Sequence, residues 1–559
     1  MTSSIELLTP TPLIWAVSII ALSLIIRFLQ RLHYHRSLVK GLPGPPHNYI
    51  LGSLRSMGEV IAKQPKRAAP QTYPLIIKDH YKLGDYFAMD PWPFGPTMLV
   101  VLDPDMIHEM TVKQSQPKHP EVEMFMQNFG GDSNLVSAEG ATWKKWRSAF
   151  NPGFSAAHLM TMVPVIVDEC VVFSEVMAEH ARKNDLFRME RAATRLTVDI
   201  IGKVVLDHSL NSQRTDNELV SAFVSQTRWQ RIGVQFNPIE LIDFRIPIVQ
   251  RYNTWRMDRY IGRCLDERFA TRGAREQMTG GKRQKHVIDL ALEAYLKEVK
   301  NVSGSEKNGA SNTIDPTFRK AAIANVKTFV FAGHDTTSST ITYAFYYLSK
   351  NPTALSQIRT EHDSVFGSDP STAAQRLKES PHLLNNLPYT TAVIKEVLRI
   401  QPPASTVRLG SKGFFLHDPK TGEPVHTEGL MLWPVDVALH RDPSWGDPHV
   451  FRPERFLSSS TAEPNPRYVP FSKGNRNCIG QELAMIETKV ILAMTCRSWE
   501  FESCYAELGL LKGDGSGYPS DGEGVQRQFG EEAYQIQLGT AKPREGMPCR
   551  LRMREGAKV

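Results

Sequence analysis

Phe471-Ser472-Lys473-Gly474-Asn475-Arg476-Asn477-Cys478-Ile479-Gly480 runs directly into an amphipathic stretch, Gln481-Glu482-Leu483-Ala484-Met485-Ile486-Glu487. This places one cysteine in a turn that opens a helix. Unpaired backbone N–H groups and the macrodipole favour negative charge at such a point, so the sulfur is expected as a thiolate. Gly474 and Gly480 are expected where backbone passes close to something flat, because a Cβ would clash there. Arg476, two residues before the sulfur, offers a fixed cation suited to a carboxylate on the same bound group. A lone cysteine is ordinarily a small buried hydrophobe. The segment therefore has to be read with the motifs around it.

The chain has 559 residues and 41% apolar content, ample for a large core. No convincing linker divides it, which predicts one large domain behind an N-terminal anchor. Its six cysteines (Cys170, Cys264, Cys478, Cys496, Cys504, Cys549) show no CxxC pairs or regular spacing. That argues against a disulfide framework or a zinc site and suits a reducing compartment. The net charge of +7 is a mild excess for this length. Basic residues do not gather into a stripe with interleaved aromatics, so nucleic acid is not an expected partner.

Pro12 to Ile26 is apolar and uncharged, and continues past Arg27 to Phe28 and Leu29. That approaches the roughly 20 residues a spanning helix needs, with Arg27 able to snorkel. Arg27, Arg31, Arg36 and Lys40 follow the apolar run, whereas only Glu6 is charged before it. The positive-inside rule then keeps the bulk of the protein cytoplasmic. A cleaved signal peptide would want a basic segment before the run and a small-residue cleavage site after it, and both are missing. Gly41-Leu42-Pro43-Gly44-Pro45-Pro46 reads as a stiff bend. The expected organisation is residues 1–40 as membrane anchor and basic flank, 41–47 as hinge and 48–559 as the main domain. The Asn301 sequon is then irrelevant, since a cytosolic domain never meets the glycosylation machinery. Two loop-like tracts, 301–312 and 512–524, read as surface segments, the second as an insertion.

Helical periodicity dominates from about Ala156, with strand-like runs at Thr97–Leu102 and Ala533–Leu538. The longest helix is expected from about Phe318 to Tyr347. At its centre lie Ala332-Gly333-His334-Asp335-Thr336-Thr337. Asp335 and Thr336 are poor helix-interior residues, and Gly333 lowers propensity further, a combination that marks a kink or a pocket. Glu396 and Arg399 stand at i and i+3 in an apolar helix, so the pair is expected to be buried and fully satisfied. Trp143 and Arg147 share a helix face at i and i+4.

The pattern Phe-x-x-Gly-x-Arg-x-Cys-x-Gly resembles the haem-binding loop of the cytochrome P450 family, and the other motifs follow in that family's order from about Leu42 to Arg552. The resemblance implies a mainly α fold with small β-sheets and haem b as cofactor. Cys478 would be the axial thiolate, with Phe471, Gly474, Arg476 and Gly480 in the loop around the haem. Trp143, Arg147 and Arg408 would meet its propionates, and Ala332 and Gly333 would form the groove beside it. Asp335 would relay protons to bound dioxygen and Thr336 would supply the hydroxyl partner. Glu396, Arg399 and Arg455 would form the structural triad that locks the fold around the loop. His440 is a possible further polar contact, and His334 is expected to face away from the pocket.

The implied activity is insertion of one atom of O2 into a lipophilic small molecule, in specialised metabolism. A fatty-acid or xenobiotic hydroxylase is the alternative within the family. An O2-independent isomerase or dehydratase would have an altered distal motif, and a non-catalytic binding protein would need no acid–hydroxyl pair. The chain lacks a dinucleotide glycine fingerprint followed by a suitably spaced acid. Electrons are therefore expected from NADPH–cytochrome P450 reductase at the endoplasmic reticulum, docking near Lys144, Lys473 and Arg476. Pocket walls are expected from Met124, Phe125, Met126 and Phe129, from 226–244, from the long helix and from Pro403 to Val407.

Overall fold

A computed structural model of the chain describes residues 12–65, 67–230, 243–271, 285–303, 314–457, 465–511 and 526–555. The expected insertion 512–524 and most of the 301–312 and 226–244 tracts lie outside them. The chain's helices include α1 (Pro12–Leu38), α2 (Pro120–Gly130), α3 (Gly140–Phe150), α4 (Val163–Lys183), α5 (Met189–Leu206), α6 (Glu218–Arg228), α7 (Arg245–Ala270), α8 (Pro316–Lys350), α9 (Pro388–Ile400) and α10 (Gln481–Thr495).

The start of α8 is set by Asp315, whose carboxylate accepts the Phe318 N–H at 2.9 Å, with Pro316 at the first helical position. The helix runs 35 residues. Between Ala321 and Leu348 every residue is buried except Ala332, Gly333 and Thr336. A helix apolar on nearly all sides belongs in the middle of a large domain. Here α8 packs against α5, α9 and α10, while α4 packs against α5 and α10. Their side chains form one continuous core, including Leu196, Ile201, Val204, Ile341, Phe345, Val397 and Val490.

Small sheets flank this core. Strands β1 (Tyr86–Met89), β2 (Met98–Val101), β4 (Arg408–Leu409) and β7 (Met431–Pro434) form a mixed sheet in the order β1-β2-β7-β4. β2 pairs antiparallel with β1 and parallel with β7, and all four of its residues are buried. Its unbroken Met-Leu-Val-Val run fits a strand covered on both faces. The others are β3 (Phe187–Arg188), β5 (Phe415–His417), β6 (Pro424–His426), β8 (Trp499–Ser503) and β11 (Pro548–Met553). Near the C-terminus, β9 (Gln535–Leu538) and β10 (Thr540–Pro543) make a hairpin whose turn is the single residue Gly539, at φ +78°. The β10 strand lies against α8.

α1 is one unbroken helix. Its residues 14–29 are exposed, whereas Leu32, Arg36 and Leu38 are buried against the domain. The expected basic flank is thus partly built into the main domain. The bend at 41–46 has no regular structure.

Candidate active site

The cysteine loop is held by its own backbone. Cys478 N–H donates to the Phe471 carbonyl at 3.0 Å and Asn477 N–H to the Gly474 carbonyl at 3.0 Å. α10 begins at Gln481, three residues after the sulfur. Cys478 is exposed to a water-sized probe, yet burial pushes its thiol pKa up, opposed by the Gly480 N–H and the Arg147 guanidinium. Both hold if the sulfur lines a cleft inside the molecule rather than its outer surface. All six cysteines are free.

The two glycines do different work. Gly474 has φ +74°, and a Cβ there would collide with the Thr111 carbonyl oxygen. Its requirement comes from neighbouring backbone, not from a bound flat group. At Gly480 a Cβ would meet only the Cys478 sulfur, at 4.0 Å. Only this second glycine leaves open space beside the thiol.

Cations crowd around the loop. Arg147 donates through both terminal nitrogens to Asn477, to its carbonyl and its side-chain oxygen, each at 3.0 Å. Arg476 stacks over the Trp143 ring at 4.5 Å, donates to the Ala138 carbonyl at 2.7 Å and pairs with Glu139. Arg408 is fully buried and donates to the Gln116 carbonyl at 3.1 Å. Its Nε and Nη2, and Nη1 of Arg476, have no hydrogen-bond partner. Lys118 sits beside both arginines, paired with the Thr406 hydroxyl. Burial, followed by the neighbouring cations, pushes Lys118 well down and Arg408 down to about 10. A depressed cation is an uncompensated one, and Glu139 is the one carboxylate among their neighbours.

On α8 the three accessible positions fall together: Ala332, Gly333 and Thr336 occupy i, i+1 and i+4. The Thr336 hydroxyl donates back to the Ala332 carbonyl at 2.8 Å, leaving its lone pairs free to accept. Gly333 has a packing role, since a Cβ there would meet Ile201 Cδ1 of α5 at 2.7 Å. Asp335 is already engaged. Lys542 of β10 reaches its Oδ1 at 2.6 Å and the Thr540 N–H its Oδ2 at 2.7 Å. The same ammonium contacts Glu190 Oε1 of α5 at 2.5 Å. Burial alone would raise the Asp335 pKa; the Lys542 charge, His334 and these hydrogen bonds outweigh it and hold the carboxyl below its usual range. Gly539 makes the approach possible, because a Cβ there would sit 2.6 Å from Asp335 Oδ2. His334, expected to face away, is buried beside Phe223 and Phe331, with ring centroids at 6.1 and 6.5 Å.

The Glu396 carboxylate accepts from Arg399 at 2.7 and 2.8 Å, from Arg455 Nε at 3.0 Å and from the Arg452 N–H at 2.9 Å. Arg399 also donates to the carbonyls of His440 (2.6 Å) and Pro448 (2.8 Å). His440 in turn accepts the Val469 N–H on Nε2 at 3.0 Å. The ion knot is thereby wired to the segment entering the cysteine loop.

Comparison with known proteins agrees with this arrangement. The family model for cytochrome P450 matches residues 76–508. The chain belongs to the cytochrome P450 family. It is 37% identical to cytochrome P450 monooxygenase polC of Polytolypa hystricis over 96% of this chain and 95% of that one. Identity to cytochrome P450 monooxygenase acrF of Aspergillus aculeatus is also 37%, over 89% of this chain and all of the relative. Human cytochrome P450 4Z1 is 28% identical over 84% of the chain. The protein is a monooxygenase-type oxidoreductase of this family, whose members carry haem on a cysteine thiolate.

The residues fit such a group. Buried guanidinium N–H atoms without partners, on Arg408 and Arg476, are what a dianionic macrocycle with two carboxylates would satisfy. Of the expected walls, Phe125, Phe129 and Phe331 form an aromatic stack, with Phe129 and Phe331 at 4.1 Å. Met126 is buried, but Met124 is 60% exposed and turned to the outside. Sequence reasoning missed Lys118, Gln116, Lys542 and Glu190. The first two sit in Gln116-Pro117-Lys118-His119-Pro120, an extended segment that bridges to Arg408. Its two prolines were the available signal.

Proposed function

We propose that this P450 holds haem b through Cys478 at the endoplasmic reticulum membrane. There it inserts oxygen into a lipophilic small molecule of specialised metabolism, with electrons from NADPH through cytochrome P450 reductase. The carrying observation is the convergence of buried guanidinium nitrogens that lack an acceptor, on Arg408 and Arg476, near a thiol at a helix start. Kinship with fungal monooxygenases at 37% identity supports the metabolic setting.

Haem held there by Cys478 would supply oxygen activation, which thiolate ligation favours. The chain's own contribution is positional. Arg408, Arg476 and Lys118 would bind its carboxylates, while Arg147 clamps the Asn477 carbonyl next to the sulfur and lends it positive charge. The Thr336 hydroxyl presents its lone pairs as an acceptor at the groove, its proton being given to the Ala332 carbonyl. The Asp335 carboxylate can carry a proton only after a partner, Lys542 or the Thr540 N–H, lets go. Phe125, Phe129 and Phe331 exclude water and suit an apolar substrate. The exposed apolar length of α1 supports membrane anchoring. On the side of Trp143, Lys144 and Asn477, a cleft of about 550 Å³ offers a docking face for the reductase. Arg476, with only 5% of its side chain exposed, is not part of that face.

The test uses microsomes carrying the protein and reductase, fed fungal metabolite extract under ¹⁸O₂ with and without NADPH. A labelled, NADPH-dependent product is expected. Unlabelled products formed without NADPH would overturn the monooxygenase reading in favour of rearrangement.

A further inference from the structure

The wall that α2 and α6 raise beside α8 is aromatic, built from Phe125, Phe129, Phe223 and Phe331. Two glutamines interrupt it. Phe223 and Gln226 share one face of α6 at i and i+3, and Gln230 follows four residues later, just past the helix end. Phe223 fixes where that face points, since its ring lies on Phe129 of α2 (6.3 Å) and against His334 of α8 (6.1 Å). Gln226 is fully buried. Its Nε2 donates to the Asn128 carbonyl at 3.2 Å, and Gln230 Nε2 donates to the Phe125 carbonyl at 3.1 Å. These bonds settle which way each amide is turned, because the flipped amide would set oxygen against oxygen. The Oε1 atoms of both are buried and meet no donor among the described residues.

A satisfied glutamine stands in the same network. Gln250 of α7 accepts from Asn128 Nδ2 at 2.9 Å and donates to the Trp229 carbonyl at 2.9 Å. One amide is complete and two fall short, both on the acceptor side. The hydroxyls nearby add no donor: Thr227 gives its proton to the Phe223 carbonyl (3.0 Å) and Thr336 to the Ala332 carbonyl (2.8 Å). His334 turns Nδ1 to the Val330 carbonyl, so that nitrogen bears the proton and Nε2 is bare. Burial lowers the pKa of this ring, in keeping with a neutral imidazole. Its Nε2 lies 3.8 Å from Asp335 Oδ1, outside hydrogen-bond reach. The polar groups left open around the aromatic wall are therefore acceptors. An acceptor buried without a donor costs stability, and the cost is recovered when a donor arrives.

We propose that Gln226 and Gln230 are specificity-determining residues that read hydroxyl groups on the substrate, so that this P450 acts on lipophilic alcohols rather than on bare hydrocarbons. A hydroxyl is the donor that matches. An ammonium group would find no free carboxylate, since Asp335 is already paired with Lys542. A ketone or a carboxylate would bring only further acceptors. A site built to pair a substrate hydroxyl rejects the analogue lacking it, because its own buried acceptors then stay unpaired. The reaction that supplies such a substrate is one that leaves a hydroxyl behind, such as an earlier hydroxylation or a carbonyl reduction. This rests on the haem-thiolate reading proposed above, and the test separates the two.

Full-length holoprotein in nanodiscs is titrated with dodecanol, farnesol and androstanol, each alongside its methyl ether and its parent hydrocarbon. Binding is read from the haem spin-state shift and, independently of that spectrum, from the rise in melting temperature. The parent should bind at least one alcohol about tenfold more tightly than its ether and its hydrocarbon. Gln226→Met and Gln230→Met nearly keep side-chain volume, and Thr254 still donates to the Asn128 carbonyl, at 2.9 Å, in the first. Each should cut the ratio to about threefold or less, with ether and hydrocarbon affinities unchanged or higher. Gln250→Met, which removes an amide that is already paired, should move alcohol and ether together and preserve the ratio. Retention of the thiolate–haem spectrum certifies folding of every variant. A ratio near one in every set, or no binding by any alcohol, would overturn the proposal. So would a ratio that survives both Gln226→Met and Gln230→Met, or one lost equally in Gln250→Met. Any of these with the thiolate–haem spectrum intact would leave the monooxygenase reading standing, whereas a parent without that spectrum would remove both.

Discussion

Two clusters of buried charge, around Glu396 and around Arg408, are built in opposite ways. Around Glu396, two guanidiniums and a backbone N–H converge on one carboxylate, and the spare Arg399 and Arg455 donors go to carbonyls. Around Arg408, several cations crowd together with Glu139 as their one carboxylate neighbour, and three guanidinium nitrogens find no acceptor. Desolvated ions that are satisfied hold a fold together. Desolvated cations that are unsatisfied cost stability unless something anionic arrives. The first cluster is complete within the protein, and the second is what the carboxylates of the proposed haem would complete.

The sharpest way to break this comparison is to damage both clusters and watch different observables. Glu396→Gln strands two buried arginines, at a cost of about 3–5 kcal/mol. Folded protein should fail to accumulate with or without added haem, as read by soluble yield and urea midpoint. Lys542→Met comes next, since it strands Asp335 and Glu190 together. Asp335 is depressed, so its share of stability is present above about pH 4 and lost as acid protonates it. Lys542 is raised, so its share is present below about pH 10 and lost in alkali. Between those limits the variant should melt lower than the parent, and adding Glu190→Gln should recover part of the loss. Arg408→Met is the third and most discriminating. Removing a buried cation that keeps one hydrogen bond, to the Gln116 carbonyl, and leaves Nε and Nη2 unsatisfied should leave the apoprotein's urea midpoint unchanged or higher. It should weaken haem retention by about 10- to 100-fold, equivalent to roughly 1–3 kcal/mol. If apoprotein stability and haem retention fall together, the cluster is structural and the contrast with Glu396 is lost.

How much of this was legible beforehand depended on whether the chemistry was local. The cysteine loop, the Glu396–Arg399 pair and the Ala332–Thr336 interruption each lie within ten residues, so spacing alone placed them on a turn, one helix face and a helix centre. α8 runs from Pro316 to Lys350 where Phe318 to Tyr347 was expected, with Asp315 and Pro316 setting its start. Partners arriving from far along the chain were not legible. Lys542 meets Asp335 across 207 positions because the one-residue Gly539 turn folds β10 onto α8, and no local pattern announces that. Gly474 and Gly333 were read as room for a bound group, but both make room for protein. A glycine records that something is close without recording what.

The smallest expected effect tests the wire between the knot and the loop. His440 Nε2 accepts the Val469 N–H, so that nitrogen must be unprotonated in the native state. Burial, followed by Arg399 and Arg441, pushes its pKa down to about 3. The unfolded chain binds this proton from about pH 6.5 downward, whereas the folded chain refuses it until about pH 3. Stability from this group is therefore complete above about pH 6.5 and declines as pH falls, by about 1.4 kcal/mol for the first full unit. His440→Gln keeps an acceptor for Val469 but has no proton to gain. Its urea midpoint should fall less steeply than the parent's between pH 6.5 and 5, whatever its offset at neutral pH. The thiolate–haem spectrum should fade in acid at a lower pH in the variant, because the loop's attachment no longer titrates. Parallel pH slopes for parent and variant would mean that His440 only fills space, and that the knot and the loop are braced separately.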